Sequence, residues 1–140
     1  MTPEKIRIMP EGHWDWSMPV SFSQGWKVGD LVFVGGQISA DEHGRTIGVG
    51  DIAVQTRNCF ENIRSVLAEV GADLTHIVKL NTYYCFEGTG EEVTRFWEEM
   101  TKVRMEYLPE PGPAATAVRV VGLAYEDLLI EIEAVAVLGG

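Results

Sequence analysis

The apolar residues of this chain follow a helical period in two stretches. Between Asp51 and Val70 they recur at steps of three and four residues, which is typical of an amphipathic helix. Asp51 is suited to cap the start of this helix, and Gly71 is suited to the left-handed conformation just past its end. The face predicted to be buried consists of Ile52, Thr56, Cys59, Phe60, Ile63, Val66, Leu67 and Val70.

A second apolar stripe predicts a second helix. Thr89 and Glu92 have the spacing of a capping box at its start. The prolines that begin at Pro109 end it, because proline lacks a backbone N–H and disrupts a helix interior. The apolar face of this helix consists of Val93, Phe96, Trp97, Met100, Val103 and Tyr107.

Short runs of apolar and β-branched residues predict five strands. Gly29 and Asp30 form a turn between the first two of them. Residues 1–20 contain three prolines and an aromatic cluster, and we predict that this N-terminal segment is irregular. The predicted strands are residues 23–27, 30–38, 77–86, 114–121 and 128–138.

The order of these elements predicts an α+β fold. Residues 1–140 would form a single domain in which two helices lie on one face of one mixed sheet. The last predicted strand is apolar on both sides near its end, and such a strand is usually covered on both faces. Because the helices cover only one face, we expect another copy of the chain to cover the other. The pattern therefore predicts a homo-oligomer.

The charge of the chain narrows the classes of partner. It has 11 Lys and Arg against 21 Asp and Glu, a net charge of −10, and its basic residues are scattered singly. Nucleic-acid surfaces cluster basic side chains, so the pattern argues against DNA or RNA as a partner. No apolar run reaches the roughly 18 residues that a membrane-spanning helix needs. We expect a cytoplasmic protein.

The cysteines and histidines do not predict a metal site. Two cysteines, Cys59 and Cys85, make neither a disulfide framework nor a zinc cluster. The three histidines have no partner at the spacing of metal ligands. Cys59 lies on the apolar stripe of the first helix, where a small buried cysteine packs as a core residue. We therefore expect no metal.

Several segments of the chain carry a family resemblance. Gly29–Ile38, with the sequence GDLVFVGGQI, resembles the GD-hydrophobic-(S/G)GQ strand of the Rid family, also called YjgF/YER057c/UK114 and labelled L-PSP endoribonuclease. Residues 55–72 are similar to its first helix, and residues 77–79 to its following strand. Residues 113–114 and 130–136 are similar to its C-terminal signature.

This resemblance implies a chorismate-mutase-like fold and a homotrimer. The sheets of three subunits would form a central barrel, with ligand clefts between neighbouring subunits. The best-known members, the RidA proteins, hydrolyse reactive enamines and imines to keto acids and ammonia. They use no metal or organic cofactor. The resemblance thus implies a small-molecule substrate and no cofactor for this chain.

The resemblance also implies site residues. Glu131 matches the glutamate that handles the attacking water in RidA proteins, and Thr116 matches a small hydroxyl position. Phe22 stands where RidA proteins have a tyrosine, and Gly35 where they have a serine. Phe22 and Trp26 are candidates for the apolar walls of a cleft, since aromatic side chains commonly line small-molecule pockets. The alternative is that these aromatic residues fasten the N-terminal segment onto the sheet or onto the next subunit.

One departure from the family concerns substrate binding. Ala115 stands where RidA proteins have the arginine that grips the substrate carboxylate, and Ala117 where many members have a cysteine. Alanine offers nothing like the paired hydrogen bonds of a guanidinium. Arg119 lies four residues along the same strand, about 13 Å away. Arg104, on the second helix, is the candidate that could enter the cleft from another direction.

Alternatives stay open for the glutamates and for the function. Glu131 and Glu133 lie on one face of the last strand, where either could form a charge pair with Arg119 or Lys79 on a neighbouring strand. The structural role is the better interpretation for Glu133. The leading function is a hydrolase that deaminates enamines or imines. The alternatives are a metabolite-binding trimer without catalysis and an endoribonuclease or translation inhibitor, which the net charge disfavours.

Overall fold

A computed structural model describes residues 2–139 of the chain. Six strands and two long helices account for most of it, and a 3-10 turn at Leu74–His76 precedes the fourth strand. The elements are β1 (Lys5–Ile8), β2 (Gly25–Val28), β3 (Leu31–Ile38), α1 (Ile52–Ala68), β4 (Ile77–Tyr84), α2 (Glu91–Tyr107), β5 (Ala114–Arg119) and β6 (Ile130–Val137).

The six strands form one mixed sheet in the order β1-β2-β3-β6-β4-β5. All neighbours are antiparallel except β4 and β5, which are parallel. A parallel pair needs a crossover connection, and α2 provides it. The predicted α+β class, with two helices and one mixed sheet, is therefore confirmed.

The prediction that residues 1–20 are irregular is wrong for Lys5–Ile8. These residues form β1 and pair antiparallel with β2, so that Ile8 lies opposite Gly25. Ile8 is only 2% exposed. The alternation of charged and apolar residues in this short segment is a strand signal, and the surrounding prolines masked it in the sequence.

The start of α1 agrees with the start predicted from the sequence, whereas the start of α2 does not. The Asp51 side chain accepts a hydrogen bond from the backbone N–H of Val54 at 3.1 Å, as the capping prediction required. The capping box predicted for α2 is wrong. Gly90 is the N-cap, with a positive φ of 59°, and no side chain caps this end. Instead, two acidic residues in the first turn, Glu91 and Glu92, stabilise this end of the helix by their favourable interaction with the helix dipole.

The hydrophobic core lies between the two helices and one face of the sheet. The side chains that line this helix face of the sheet are nearly inaccessible; they include Val32, Leu80, Ile130 and Ile132. The opposite face, which we call the open face, carries large apolar side chains that are about two-fifths exposed. They are Trp26, Leu31, Phe33, Val118 and Val137. Exposed apolar patches of this kind mark interaction surfaces.

No helix within residues 2–139 combines the length and the hydrophobicity that a membrane crossing requires.

Candidate functional site

The candidate site is built on the open face around Glu131. This residue lies on β6, the strand between β3 and β4, so neighbouring strands flank it on both sides. The register places Ile38 of β3 opposite Glu131 on one side and Tyr83 of β4 on the other. Val118 of β5 lies opposite Tyr83 and continues the same row. Side chains directly opposite one another share a face, so this row crosses the open face.

A bulge in β3 leaves room for the Glu131 carboxylate. The pairing of β3 with β6 shifts between Val34 and Gln37, and Gly36 lies inside this shift. A Cβ atom added to Gly36 would stand 2.9 Å from Cδ and 3.1 Å from Cγ of Glu131. The Glu131 side chain therefore lies directly against the Gly36 backbone. A glycine inside a strand commonly marks such a close approach.

Burial changes the acidity of Glu131. The pKa of its carboxyl group is raised, first because burial disfavours the charged form and second because Glu133 carries a like charge nearby. No hydrogen bond or ion pair holds the Glu131 side chain among the residues that the structure describes. A carboxylate that is partly buried, a weaker acid than usual and free of partners is suited to exchange protons with a bound water.

Glu133 has the opposite surroundings. Its Oε1 atom accepts hydrogen bonds from Asn81 Nδ2 at 3.0 Å and from the Tyr83 hydroxyl at 2.8 Å. The pKa of Tyr83 is raised, mainly by this hydrogen bond and by the charge of Glu133. Both donors come from β4, the strand next to β6. The structural interpretation of Glu133 agrees with these contacts, although its partners are neutral donors.

The cations predicted as partners for the glutamates bond elsewhere. Lys79 Nζ donates a hydrogen bond to Thr116 Oγ1 at 3.1 Å. The Arg119 guanidinium donates to the carbonyl oxygens of Phe86 and Gly88, the latter at 2.9 Å. Lys79 also lines an open-face cavity of about 240 Å³ together with Phe33, Asn81, Glu133 and Val135. Thr116 thus lies beside this cavity, two residues before Val118 along β5.

The aromatic candidates lie at opposite ends of the open face. Phe22 stacks on Trp14 with ring centroids 5.8 Å apart and packs in a small cluster with Ile38, the residue opposite Glu131. Trp26 lies opposite Phe33, and Phe33 lies opposite Val135. Val135 is four residues from Glu131, or about 13 Å along β6. Phe22 is therefore near the Glu131 end of the sheet, and Trp26 is not.

Gly35 lies beside Gly36 in the bulge of β3. Its backbone N–H donates a hydrogen bond to the carbonyl of Gln24 at 2.8 Å. A Cβ atom there would stand 3.1 Å from the same oxygen. Gly35 thus allows close packing of the two backbones next to the glutamate.

Ala115, Ala117 and Arg104 lie on the helix face of the sheet. Ala115 pairs with Leu80 and Ala117 with Thr82, both of which point into the helix-side core. Arg104 of α2 lines a small cavity that Thr82 also lines. Within one protomer, these three residues are on the opposite side of the sheet from Glu131. A cleft that contains all of them would need two subunits.

The residues that surround Glu131 most closely were not predicted from the sequence. Asn81 and Tyr83 alternate with the apolar positions of β4 that were used to identify the strand. The signal for their position was this alternation, which places them on the opposite face from the apolar set. The signal for Gly36 was weaker, because a glycine inside a strand indicates a close approach without showing which group approaches it.

A buried amide also holds the N-terminal segment against this end of the sheet. Gln37 is fully buried, and its Oε1 atom lies 2.7 Å from His13 Nε2 and accepts a hydrogen bond from Trp14 Nε1 at 2.9 Å. Its Nε2 atom donates to Gln24 Oε1 at 2.9 Å. Burial lowers the pKa of His13, and the hydrogen bond to Gln37 partly offsets that effect. The network fixes Trp14, against which Phe22 stacks.

The fold that carries this site is the chorismate-mutase-like fold, with two helices on one face of a mixed sheet. The solved structure of RidA from an Antarctic Psychrobacter species superposes with a TM-score of 0.79 and 26% sequence identity. The superposition covers 95% of this chain and 99% of that one.

Sequence comparison agrees with the structural one. Residues 17–138 match the family described as Endoribonuclease L-PSP. A RutC family protein of Pyrococcus abyssi is 41% identical over 115 residues, which cover 82% of this chain and 84% of that protein. The 3-aminoacrylate deaminase RutC of Acinetobacter baylyi is 33% identical over 137 residues, or 96% and 98% of the two chains. This chain belongs to the Rid family, as its sequence motifs predicted.

Proposed function

We propose that this protein is a hydrolase that deaminates small enamines or imines, with Glu131 as its base and acid. The observation that carries the proposal is the state of the Glu131 carboxyl group. It is partly buried against Gly36, makes no hydrogen bond within residues 2–139, and has a raised pKa. The similarity to a 3-aminoacrylate deaminase over nearly the whole chain supports the substrate class.

The chemistry requires one group that both takes and gives a proton. An enamine first tautomerises to its imine, which is the species that water attacks. The Glu131 carboxylate removes a proton from this water as the water oxygen bonds to the imine carbon, and Glu131 passes that proton to the imine nitrogen, which gives a carbinolamine and restores the carboxylate. Glu131 then moves the hydroxyl proton of the carbinolamine to its amino nitrogen, so that the C–N bond breaks as the C=O bond forms and ammonia and a carbonyl product leave. General acid–base catalysis typically contributes about 10²- to 10⁴-fold.

The proposed assembly is a homotrimer with clefts between subunits. The exposed apolar side chains of the open face support it, because burying this face would remove them from water. Glu131 of one subunit would then face the β5 strand of a neighbour, with Ala115, Thr116 and Ala117. Replacing Phe33 with Glu would place a charge in the apolar patch. We expect this variant to shift to a lower mass in light scattering while it keeps its circular dichroism spectrum.

Arg104 is the cation that we propose for a substrate carboxylate. It lies on the helix face, as does Ala115, and no side chain within the described part of the chain forms an ion pair with it. The Arg104→Gln variant should raise KM for enamines that carry a carboxylate and leave KM for neutral enamines unchanged. Equal effects on both substrate types would exclude this role.

The central experiment is ammonia release from enamines and imines that are generated in situ. Wild type should accelerate release over the reaction without protein, and Glu131→Gln should lose at least about 10²-fold of that acceleration. Glu69→Gln, which removes an exposed carboxylate at the end of α1, is the matched control and should keep full activity. Equal rates for Glu131→Gln and wild type would show that Glu131 is not the base.

A metabolite-binding protein without catalysis is the second candidate. Ala115 favours it, because the family resemblance implies a carboxylate-binding arginine at this position in RidA proteins and a methyl group cannot form its hydrogen bonds. A compound that raises the melting temperature without being consumed would support this function, because a ligand of the native state stabilises it. The net charge of −10 argues against an endoribonuclease.

A further inference from the structure

Glu133 lies on the same face as Glu131, two residues further along β6. Alternate residues of a strand are about 7 Å apart and project to one side of the sheet. Both donors to the Glu133 carboxylate, Asn81 and Tyr83, are side chains of the neighbouring strand β4. The Glu133 carboxylate of β6 is therefore held in place by two hydrogen bonds from one neighbouring strand, β4.

The charge of Glu133 is not cancelled by a cation. Neither Glu131 nor Glu133 takes part in any ion pair of residues 2–139. Lys79 lines the same cavity as Glu133, but its ammonium group donates its hydrogen bond to Thr116. The two donors to Glu133 are neutral, so they orient its carboxylate and leave its negative charge in place.

Few other titratable groups act on Glu131. On β4 the residue opposite it is Tyr83, whose hydroxyl is turned toward Glu133. On β3 its neighbours are Gly36 and Ile38, which carry no charge. On the helix side, burial and the charge of Glu131 raise the pKa of the Cys59 thiol, which therefore stays neutral. Glu133 is thus the charged residue that the fold places beside Glu131.

We infer that Glu133 is a positioning residue, whose fixed negative charge, oriented by Tyr83 and Asn81, makes Glu131 a stronger base. The inference rests on the proposed role of Glu131 in proton transfer. A like charge nearby disfavours the deprotonated form of a carboxyl group. The raised pKa of Glu131 has Glu133 as its second cause, after burial. A base with a higher pKa removes a proton from water more readily.

Glu133→Gln separates the charge from the hydrogen bonds. The amide oxygen of glutamine can still accept from Tyr83 and Asn81, while the negative charge is removed. The direct measurement is the titration of the Glu131 carboxyl carbon by NMR, with the resonance assigned by its loss in Glu131→Gln. Two charges about 7 Å apart interact enough to move a titration midpoint by about 0.4 to 1.7 on the pH scale, for effective dielectric constants of about 80 and 20.

We expect the titration midpoint of Glu131 to decrease in Glu133→Gln by an amount within that range. In the control Glu69→Gln the midpoint should not change. An unchanged midpoint in folded Glu133→Gln would overturn the inference. Tyr83→Phe gives a second test, because it keeps the charge of Glu133 and removes one of its two donors. If the charge is what acts on Glu131, the Glu131 midpoint should move less in this variant than in Glu133→Gln. An equal or larger movement would also overturn the inference.

Kinetics distinguish this inference from the proposed function. If Glu131 is the base, the acid limb of kcat/KM should move to lower pH in Glu133→Gln by the same amount as the NMR midpoint. A moved midpoint in a protein that releases no ammonia from any substrate would contradict the proposed function and the kinetic part of the inference. Turnover with an unmoved acid limb would contradict the inference and leave the proposed function standing.

Discussion

Gly36 provides a sharp test of the geometry around Glu131. A Cβ atom at this position would stand 2.9 Å from the carboxyl carbon of Glu131, closer than carbon atoms pack in proteins. The φ angle of Gly36 is not positive, so alanine is compatible with its backbone. The added methyl group would therefore act on the Glu131 side chain and would leave the strand in place.

The size of the effect differs between stability and activity. Glu131 can turn away from the methyl group at a cost of about 0.5 to 1.5 kcal/mol, which is the cost of an unfavourable rotamer. Moving a reacting group by about 1 Å can lower a rate by about 10²-fold. We expect Gly36→Ala to remain folded, with a free energy of unfolding within about 1.5 kcal/mol of wild type, and to lose most of kcat/KM for imine hydrolysis.

Gly35→Ala is the matched control, because its methyl group would meet a different neighbour. Its Cβ would stand 3.1 Å from the backbone oxygen of Gln24 and 3.2 Å from that of Ser23. This variant should lose stability in urea unfolding and keep the pH dependence of catalysis. Wild-type kcat/KM in Gly36→Ala, combined with reduced kcat/KM in Gly35→Ala, would refute the assignment of Glu131 to the reacting position.

Three further predictions concern stability. The pKa of Glu131 is raised on folding, so its contribution to the free energy of unfolding is complete at pH values below its unfolded pKa and is lost as the pH rises through its folded pKa. Glu131→Gln should therefore melt at a higher temperature than wild type at pH 7.5. Equal melting temperatures would contradict this. The pKa of His13 is lowered on folding, so stability should fall as the pH drops below about 6.5; calorimetry should show a weaker decline between pH 7 and 5 for His13→Gln. Asp51→Ala removes the N-cap of α1 and should cost about 1 kcal/mol in urea unfolding, whereas no loss would show that the cap is dispensable.

Local patterns predicted the helices well, because their signals lie within the helices themselves. The apolar period and Asp51 defined α1 to within two residues at each end. The start of α2 was misplaced, because Thr89 and Glu92 have the right spacing but the positive φ of Gly90 sets the start of the helix. The spacing of two side chains does not show which backbone conformation precedes a helix.

The candidate site was predicted less completely, because it depends on pairing between distant segments. Glu131 was found through its resemblance to a family signature. Its neighbours Gly36 and Tyr83 are about 95 and 48 positions away along the chain, and only the register of β6 between β3 and β4 brings them together. Such a register follows from long-range pairing, which the alternation within a single strand does not specify.

The central position of β6 has a consequence for how the molecule is made. Its pairing partners β3 and β4 do not pair with each other, so β6 joins one half of the sheet, β1 to β3, to the other, β4 and β5. Because translation proceeds from the N-terminus, the ribosome makes both halves of the sheet before it makes β6, the strand that joins them. Until residues 130–137 are made, each half exposes an unpaired inner edge, and such edges pair readily with other chains. A truncation just before Ile130 should therefore yield aggregates during expression, even though it removes none of the residues that form the two helices.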